Sequence, residues 1–150
     1  MRIKLHPDFS DFIKILNKNS VEYVIVGSFA LAFHGFPRAT GDIDIWIRPT
    51  LSNAIFLINA IKTFGFKDLD ISEEDILSGK IIQLGYPPVR IDILTVLDGL
   101  NSDEIWEARE MGHLGPHKVA FIGRRAFIKN KQAIGRHKDL ADIESLGEKI

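Results

Sequence analysis

The six residues Asp42-Ile43-Asp44-Ile45-Trp46-Ile47, closed off by Pro49, constrain this chain more than any other stretch. Isoleucine at every second position is the period of a β-strand with one face against a core. The same period sends Asp42 and Asp44 to the opposite face. Side chains two apart on a strand face lie within about 7 Å of each other. Two carboxylates fixed that close repel unless a cation stands between them. Their hard oxygens suit Mg2+ or Mn2+. A solvated strand face carrying two acids by chance gives the same pattern, so the pair alone does not decide.

The rest of the chain supplies a frame for that strand. Phe9, Phe12, Ile13, Ile15 and Leu16 follow Pro7-Asp8 near helical spacing and predict an amphipathic helix ending near Asn19. Tyr23 to Val26 predicts a short buried strand stopped by Gly27-Ser28, then a helix from Phe29 to His34 ending at Gly35 and a loop from Phe36 to Gly41. Leu51 to Phe64 carries an apolar helical face, with Thr50 or Ser52 as N-cap and Gly65 as C-cap. Ser72-Glu73-Glu74-Asp75 opens a short helix. Ile81 to Leu84 and Val89 to Val96 predict two strands of a hairpin through Gly85-Tyr86-Pro87-Pro88. Further on come a helix over Asn101 to Met111, a strand over Val119 to Ile122, and two helices after Arg124 split at Gly135. Strands mixed with helices, including a hairpin, predict an α/β (α+β) fold, a mixed sheet of about four to five strands with helices packed on it. With 150 residues and neither repeat nor linker, one domain over residues 1–150 is expected.

Composition narrows the function classes. A net charge of −1 gives no basic footprint over the whole chain, although a local patch remains open. The absence of cysteine removes disulfides, thiolate zinc sites and cysteine nucleophiles, and fits a reducing cytoplasm. No apolar stretch of signal-peptide length opens the sequence, and none reaches the roughly 18 residues that span a bilayer, so a cytoplasmic protein with no membrane association is expected.

Two further features change the weight of the acidic pair. Asp92 sits in Val89-Arg90-Ile91-Asp92-Ile93-Leu94, where apolar neighbours argue against a merely solvated carboxylate. If that strand lies beside the first, Asp92 joins Asp42 and Asp44, and three carboxylates can hold two metal ions about 3.5–4 Å apart. The plain alternative for Asp92 is an edge-strand acid. Arg90 is expected on the other face of its strand, away from Asp92. Gly27-Ser28 follows a buried strand and opens a helix, which presents backbone N–H groups to an anion such as phosphate. Gly27 would let the anion approach with no Cβ in the way, and Ser28 would cap the helix, contact the anion, or both.

Gly27-Ser28, then Asp42-x-Asp44, then Asp92 on a later strand resembles the DNA polymerase beta-like nucleotidyltransferase superfamily. Gly27-Ser28-Phe29-Ala30-Leu31-Ala32-Phe33-His34-Gly35 with Arg38-x-Thr40-x-Asp42-x-Asp44 is similar to its small prokaryotic branch, related to the abortive-infection-type toxins of toxin–antitoxin pairs. Asn130-Lys131-x-Ala133-x-Gly135-Arg136-x-Lys138-Asp139-x-x-Asp142-Ile143-Glu144 resembles the same branch. The resemblance implies a metal-dependent nucleotidyltransferase that moves NMP from an NTP to a hydroxyl acceptor on RNA, protein or a small molecule and releases pyrophosphate. It implies Asp42, Asp44 and Asp92 as catalytic ligands of two Mg2+ or Mn2+ ions, with Asp92 also the base. Gly27, Ser28, Lys131 and Lys138 would hold the triphosphate.

Other residues keep two readings. Arg38 either contacts phosphate or orients Asp44, or it neutralises the acids structurally. Lys131, Arg136, Lys138 and Asp139 form either a phosphate clamp or ordinary helix-end charges. Asp139, Asp142 and Glu144 suit the first turn of a helix, where acids favour the dipole. Trp46 is expected in a partly buried packing role, with stacking on a base the alternative, and the five histidines are expected to be uninvolved. Two other functions compete with the enzyme: a nucleotide-binding module without turnover, and a toxin with a cognate partner protein. Incorporation of labelled nucleotide separates the first. Growth arrest on expression, lost in Asp44→Ala, supports the second.

Overall fold

Ile43, Ile45 and Ile47 are all fully buried, as their alternation requires. They belong to strand β2 (Asp42–Ile47) of a computed structural model that describes residues 5–37, 40–86 and 88–148. Helix α1 (Pro7–Lys18), strand β1 (Tyr23–Val26) and helix α2 (Gly27–Phe33) precede β2. Helices α3 (Leu51–Phe64) and α4 (Glu73–Leu77) follow it, then strands β3 (Ile82–Tyr86) and β4 (Val89–Leu94). Helix α5 (Ser102–Glu107), strands β5 (Glu110–Leu114) and β6 (His117–Phe121), and helices α6 (Arg124–Ile134) and α7 (His137–Ser145) complete the described chain.

The strands form one six-stranded mixed sheet in the order β3-β4-β2-β1-β6-β5. β2 runs antiparallel to β1 and parallel to β4, and β1 runs parallel to β6. Hairpins β3–β4 and β5–β6 supply the two edges. β1 is buried at all four positions, the pattern of a strand covered on both faces. Phe9, Phe12, Ile13 and Leu16 of α1 are buried in the same core. Burying each large apolar side chain contributes about 1.5–3 kcal/mol, which makes the central strands a rigid platform for whatever β2 and β4 carry.

Local signals decide most element ends. Thr50, not Ser52, caps α3: its hydroxyl accepts from the Asn53 amide at 3.2 Å. The buried Asn53 amide is satisfied in turn, accepting from Glu22 N at 2.7 Å and donating to the Glu22 and Arg48 carbonyls, both at 2.8 Å. It ties the start of α3 to the adjoining ends of β1 and β2.

The structure corrects the sequence reading in three places. The sheet has six strands rather than four to five, because Glu110–Leu114 is a strand and not the end of a helix. That edge strand buries only Leu114, so its sequence shows no alternation. β3 spans Ile82–Tyr86 and β4 stops at Leu94, so the hairpin turn is shorter than predicted. α2 begins at Gly27 itself. Among the described residues, no helix is long and apolar enough to cross a membrane.

Candidate active site

Strand register builds the site. β2 and β4 are parallel, with Asp44 opposite Asp92 and Asp42 opposite Arg90. Neighbouring strands lie about 4.8 Å apart, so Asp44 and Asp92 stand side by side. Val26 and Gln83 continue the same row across β1 and β3. The three acids thus converge, and Asp92 is buried at 8% exposure.

Arg90 is not on the far face. Two positions from Asp92 along an extended strand it shares Asp92's side, and it reaches both acids of its own neighbourhood. Its Nε donates to Asp92 Oδ1 at 2.9 Å, and one terminal nitrogen donates to Asp92 Oδ2 at 2.9 Å and to Asp42 Oδ2 at 3.0 Å. A planar guanidinium fork matches two carboxylates in this way and an ammonium does not.

Asp44 has no such partner: no described cation makes an ion pair with it. Burial, the Asp92 and Asp42 carboxylates and a hydrogen bond shared with Asp92 push its carboxyl up to about 6, with Lys131 pulling weakly the other way. The carboxylate lies against Gly27. A Cβ on Gly27 would overlap Asp44 Oδ2, and its backbone is left-handed at φ 66°. The space freed by glycine is therefore filled by Asp44. Ser28 is half-buried in the first turn of α2, whose N-cap, Val26, makes no side-chain capping bond.

On the opposite wall, α6 and α7 deliver Lys131. Its Nζ stands 3.3 Å from Asp139 Oδ1 and 3.3 Å from Asp142 Oδ2. Both acids are buried, and Arg136 Nε adds a 2.7 Å contact to Asp139 Oδ2. Burial pushes the Asp139 carboxyl up, but the Arg136 and Lys131 cations outweigh it and hold it below the ordinary carboxylate range. Asp139 is a first-turn residue of α7, as expected, and also accepts from the Arg136 amide at 3.2 Å. The sequence alone does not disclose that it and Asp142 anchor Lys131.

A cavity of about 510 Å³ separates the two walls, lined by Gly27, Asp44, Leu94, Phe127, Lys131 and Arg136 among others. Lys138 is exposed and lies outside it, so Arg136 rather than Lys138 accompanies Lys131. Arg38 lies outside the described residues. Trp46 is fully buried with Nε1 donating to the Thr95 carbonyl at 3.1 Å, which corrects partial burial to complete burial and removes any stacking role. His34 and His117 are structural, bonded to the Ile122 carbonyl and the Ser10 hydroxyl, each at 2.7 Å. A second cavity, about 620 Å³, lies against Val89 and Ile91 on the other side of β4 and contains none of the three acids.

Carboxylate oxygens are the donors that a hard divalent cation takes. Three carboxylates stand on two rigid strands, and the only described cation paired with them is Arg90. Burial first, and the neighbouring carboxylates of Asp92 and Asp42 second, raise the Asp44 carboxyl. Among the described residues no group of three acids or histidines is placed to hold a metal ion, and Arg90 bonds to both Asp42 and Asp92.

No family model matches the chain, and no curated protein matches it in sequence. Among solved structures it is similar to a candidate nucleotidyltransferase from Thermotoga maritima, at TM-score 0.58 and 17% identity over 96% of this chain and 93% of that one. That likeness shows a shared fold.

Proposed function

We propose that this chain is a metal-dependent nucleotidyltransferase that transfers NMP from an NTP to a hydroxyl of RNA, protein or a small molecule. One observation carries the reading: Asp44 and Asp92 stand side by side on β2 and β4, with Asp42 one step away, and Asp44 lines a cavity whose other wall holds Lys131. The nucleotidyltransferase-like fold agrees with it.

Asp42, Asp44 and Asp92 would hold Mg2+ or Mn2+, which when bound supplies positive charge to the attacking and leaving oxygens. The chain's own residues do the rest. Lys131, fixed by two buried acids, presents its ammonium to the triphosphate across the cavity. Gly27 and Ser28 set the backbone at the start of α2 beside Asp44, where first-turn amides would face phosphate oxygens. The acceptor oxygen forms a bond to the α-phosphorus, the bond to the β-phosphate oxygen breaks, and pyrophosphate leaves. The acceptor proton would pass to the Asp92 carboxylate, acting as base.

A thermal-shift panel of the four NTPs with and without Mg2+ tests this reading and identifies the nucleotide, because a ligand that binds only the folded chain raises its melting temperature. A magnesium-dependent rise with at least one NTP is expected. No rise with any NTP in the presence of Mg2+ contradicts the proposal. Label transfer from α-labelled NTP then reports turnover.

A further inference from the structure

The cavity that holds Asp44 and Lys131 has a second, uncharged part. On β4, Leu94 follows Asp92 by two residues and shares its face, one step of about 7 Å further along the strand. Antiparallel pairing sets Gln83 of β3 beside Asp92 and Ile82 beside Ile93, and the next step of the same register brings Ile81 beside Leu94. Val96 continues the run just past β4. On the helix wall, Ile134 follows Lys131 by three residues, on the same face of α6. These four apolar side chains line the cavity together with Asp44, Lys131 and Arg136.

Ile81 and Val96 are 60% and 61% exposed. Single apolar side chains on a surface are ordinary, but these two border one cavity, and the backbone between β4 and Val96 is fixed. The Thr95 carbonyl accepts from Trp46 Nε1 at 3.1 Å, and the Thr95 hydroxyl donates to the Ile76 carbonyl at 3.4 Å. Gly79 lies against Val96: a Cβ there would stand 3.4 Å from Val96 Cγ2. The apolar rim is thus preformed and wet, and an apolar surface laid on it would release that water.

We infer that Ile81 and Val96, together with Leu94, form the platform for the base of the nucleotide, with the triphosphate toward Lys131. The inference rests on the nucleotide-binding reading above and deepens it, because it assigns the residues that tell a nucleoside triphosphate from bare polyphosphate. The chemistry of the ligand matches the cavity. A nucleotide is a polyanion joined to a flat ring whose faces are apolar enough to stack. The cavity offers the Lys131 ammonium to the first part and aliphatic side chains to the second.

The test is calorimetric titration of the full chain in Mg2+ with each of the four NTPs and with inorganic tripolyphosphate. Wild type is expected to bind at least one NTP about tenfold tighter than tripolyphosphate, since only the NTP withdraws apolar surface from water. The double variant Ile81→Ser, Val96→Ser is expected to lose that margin while its tripolyphosphate affinity stays unchanged. Both positions are exposed, so the fold does not depend on them. Lys131→Ala, by contrast, is expected to weaken both ligands. Equal affinity of wild type for tripolyphosphate and for every NTP overturns the inference without any variant and leaves the phosphate site standing. A double variant that keeps the full NTP margin, or weakens both ligands alike, overturns it too. Binding of neither ligand by wild type defeats the nucleotide-binding reading itself, and the inference with it.

Discussion

Replacing Asp44 by asparagine should stabilise the metal-free protein, and by an amount that depends on pH. In the unfolded chain this carboxyl ionises at the ordinary 3.8, whereas in the folded chain burial and the carboxylates of Asp92 and Asp42 hold its proton until about 6. Between those values the folded state binds more protons than the unfolded state, so stability falls as pH rises. Above about 6 the loss is complete. At about 1.4 kcal/mol for each pH unit, the full cost is about 3 kcal/mol. Asparagine is nearly isosteric with the protonated acid and never ionises. The assay is urea unfolding of wild type and Asp44→Asn with a chelator present, from about pH 4 to about pH 8. The variant should match the wild type at the acidic end and exceed it by about 2–3 kcal/mol at the neutral end. Carboxylates with lowered ionisation, such as Asp139 and Glu104, produce the opposite slope in both proteins and cancel in the difference. A difference that is absent at neutral pH, or the same at every pH, refutes the reasoning. Divalent cation added at neutral pH should narrow the gap by stabilising only the wild type.

Gly27→Ala should cost about 2 kcal/mol or more, since alanine resists the left-handed backbone and its Cβ would displace the Asp44 carboxylate. The cost should shrink in an Asp44→Ala background, giving a measurable coupling in a double-mutant unfolding cycle. Asp139→Asn breaks a buried contact with both Lys131 and Arg136 and should destabilise by about 3 kcal/mol in denaturant. Because the Asp139 carboxyl is held low, that contribution is present above the ordinary 3.8 and disappears as pH falls through the lowered value, so the variant and wild type should converge in acid. Lys131→Ala should weaken triphosphate binding, measured by calorimetry, by about 1–3 kcal/mol.

The sequence carries the central strand almost completely, because the alternation of Ile43, Ile45 and Ile47 states both its period and its buried face. It also singles out Asp42, Asp44 and Asp92 as acids on apolar strands. What it lacks is lateral register. Nothing along the chain says that Asp44 lies beside Asp92, or that Arg90 lies beside Asp42; that follows from the parallel pairing of β2 and β4. For Arg90 the signal was present, since two residues on a strand return to the same face, and its spacing from Asp92 was enough to place it in the site. The α6–α7 wall was harder to see. Asp139 and Asp142 look like surface helix acids until the packing of two helices buries them around Lys131. β5 was missed for a related reason: an edge strand exposed along most of its length has no apolar period to display.

The account stands or falls on a divalent cation beside Asp44. Anomalous diffraction from crystals grown with Mn2+ and a non-hydrolysable NTP tests this directly. The account predicts a manganese peak about 2.0–2.3 Å from an Asp44 carboxylate oxygen, with triphosphate oxygens on its far side. A peak elsewhere in the molecule, or nucleotide bound with no metal near Asp44, would contradict it.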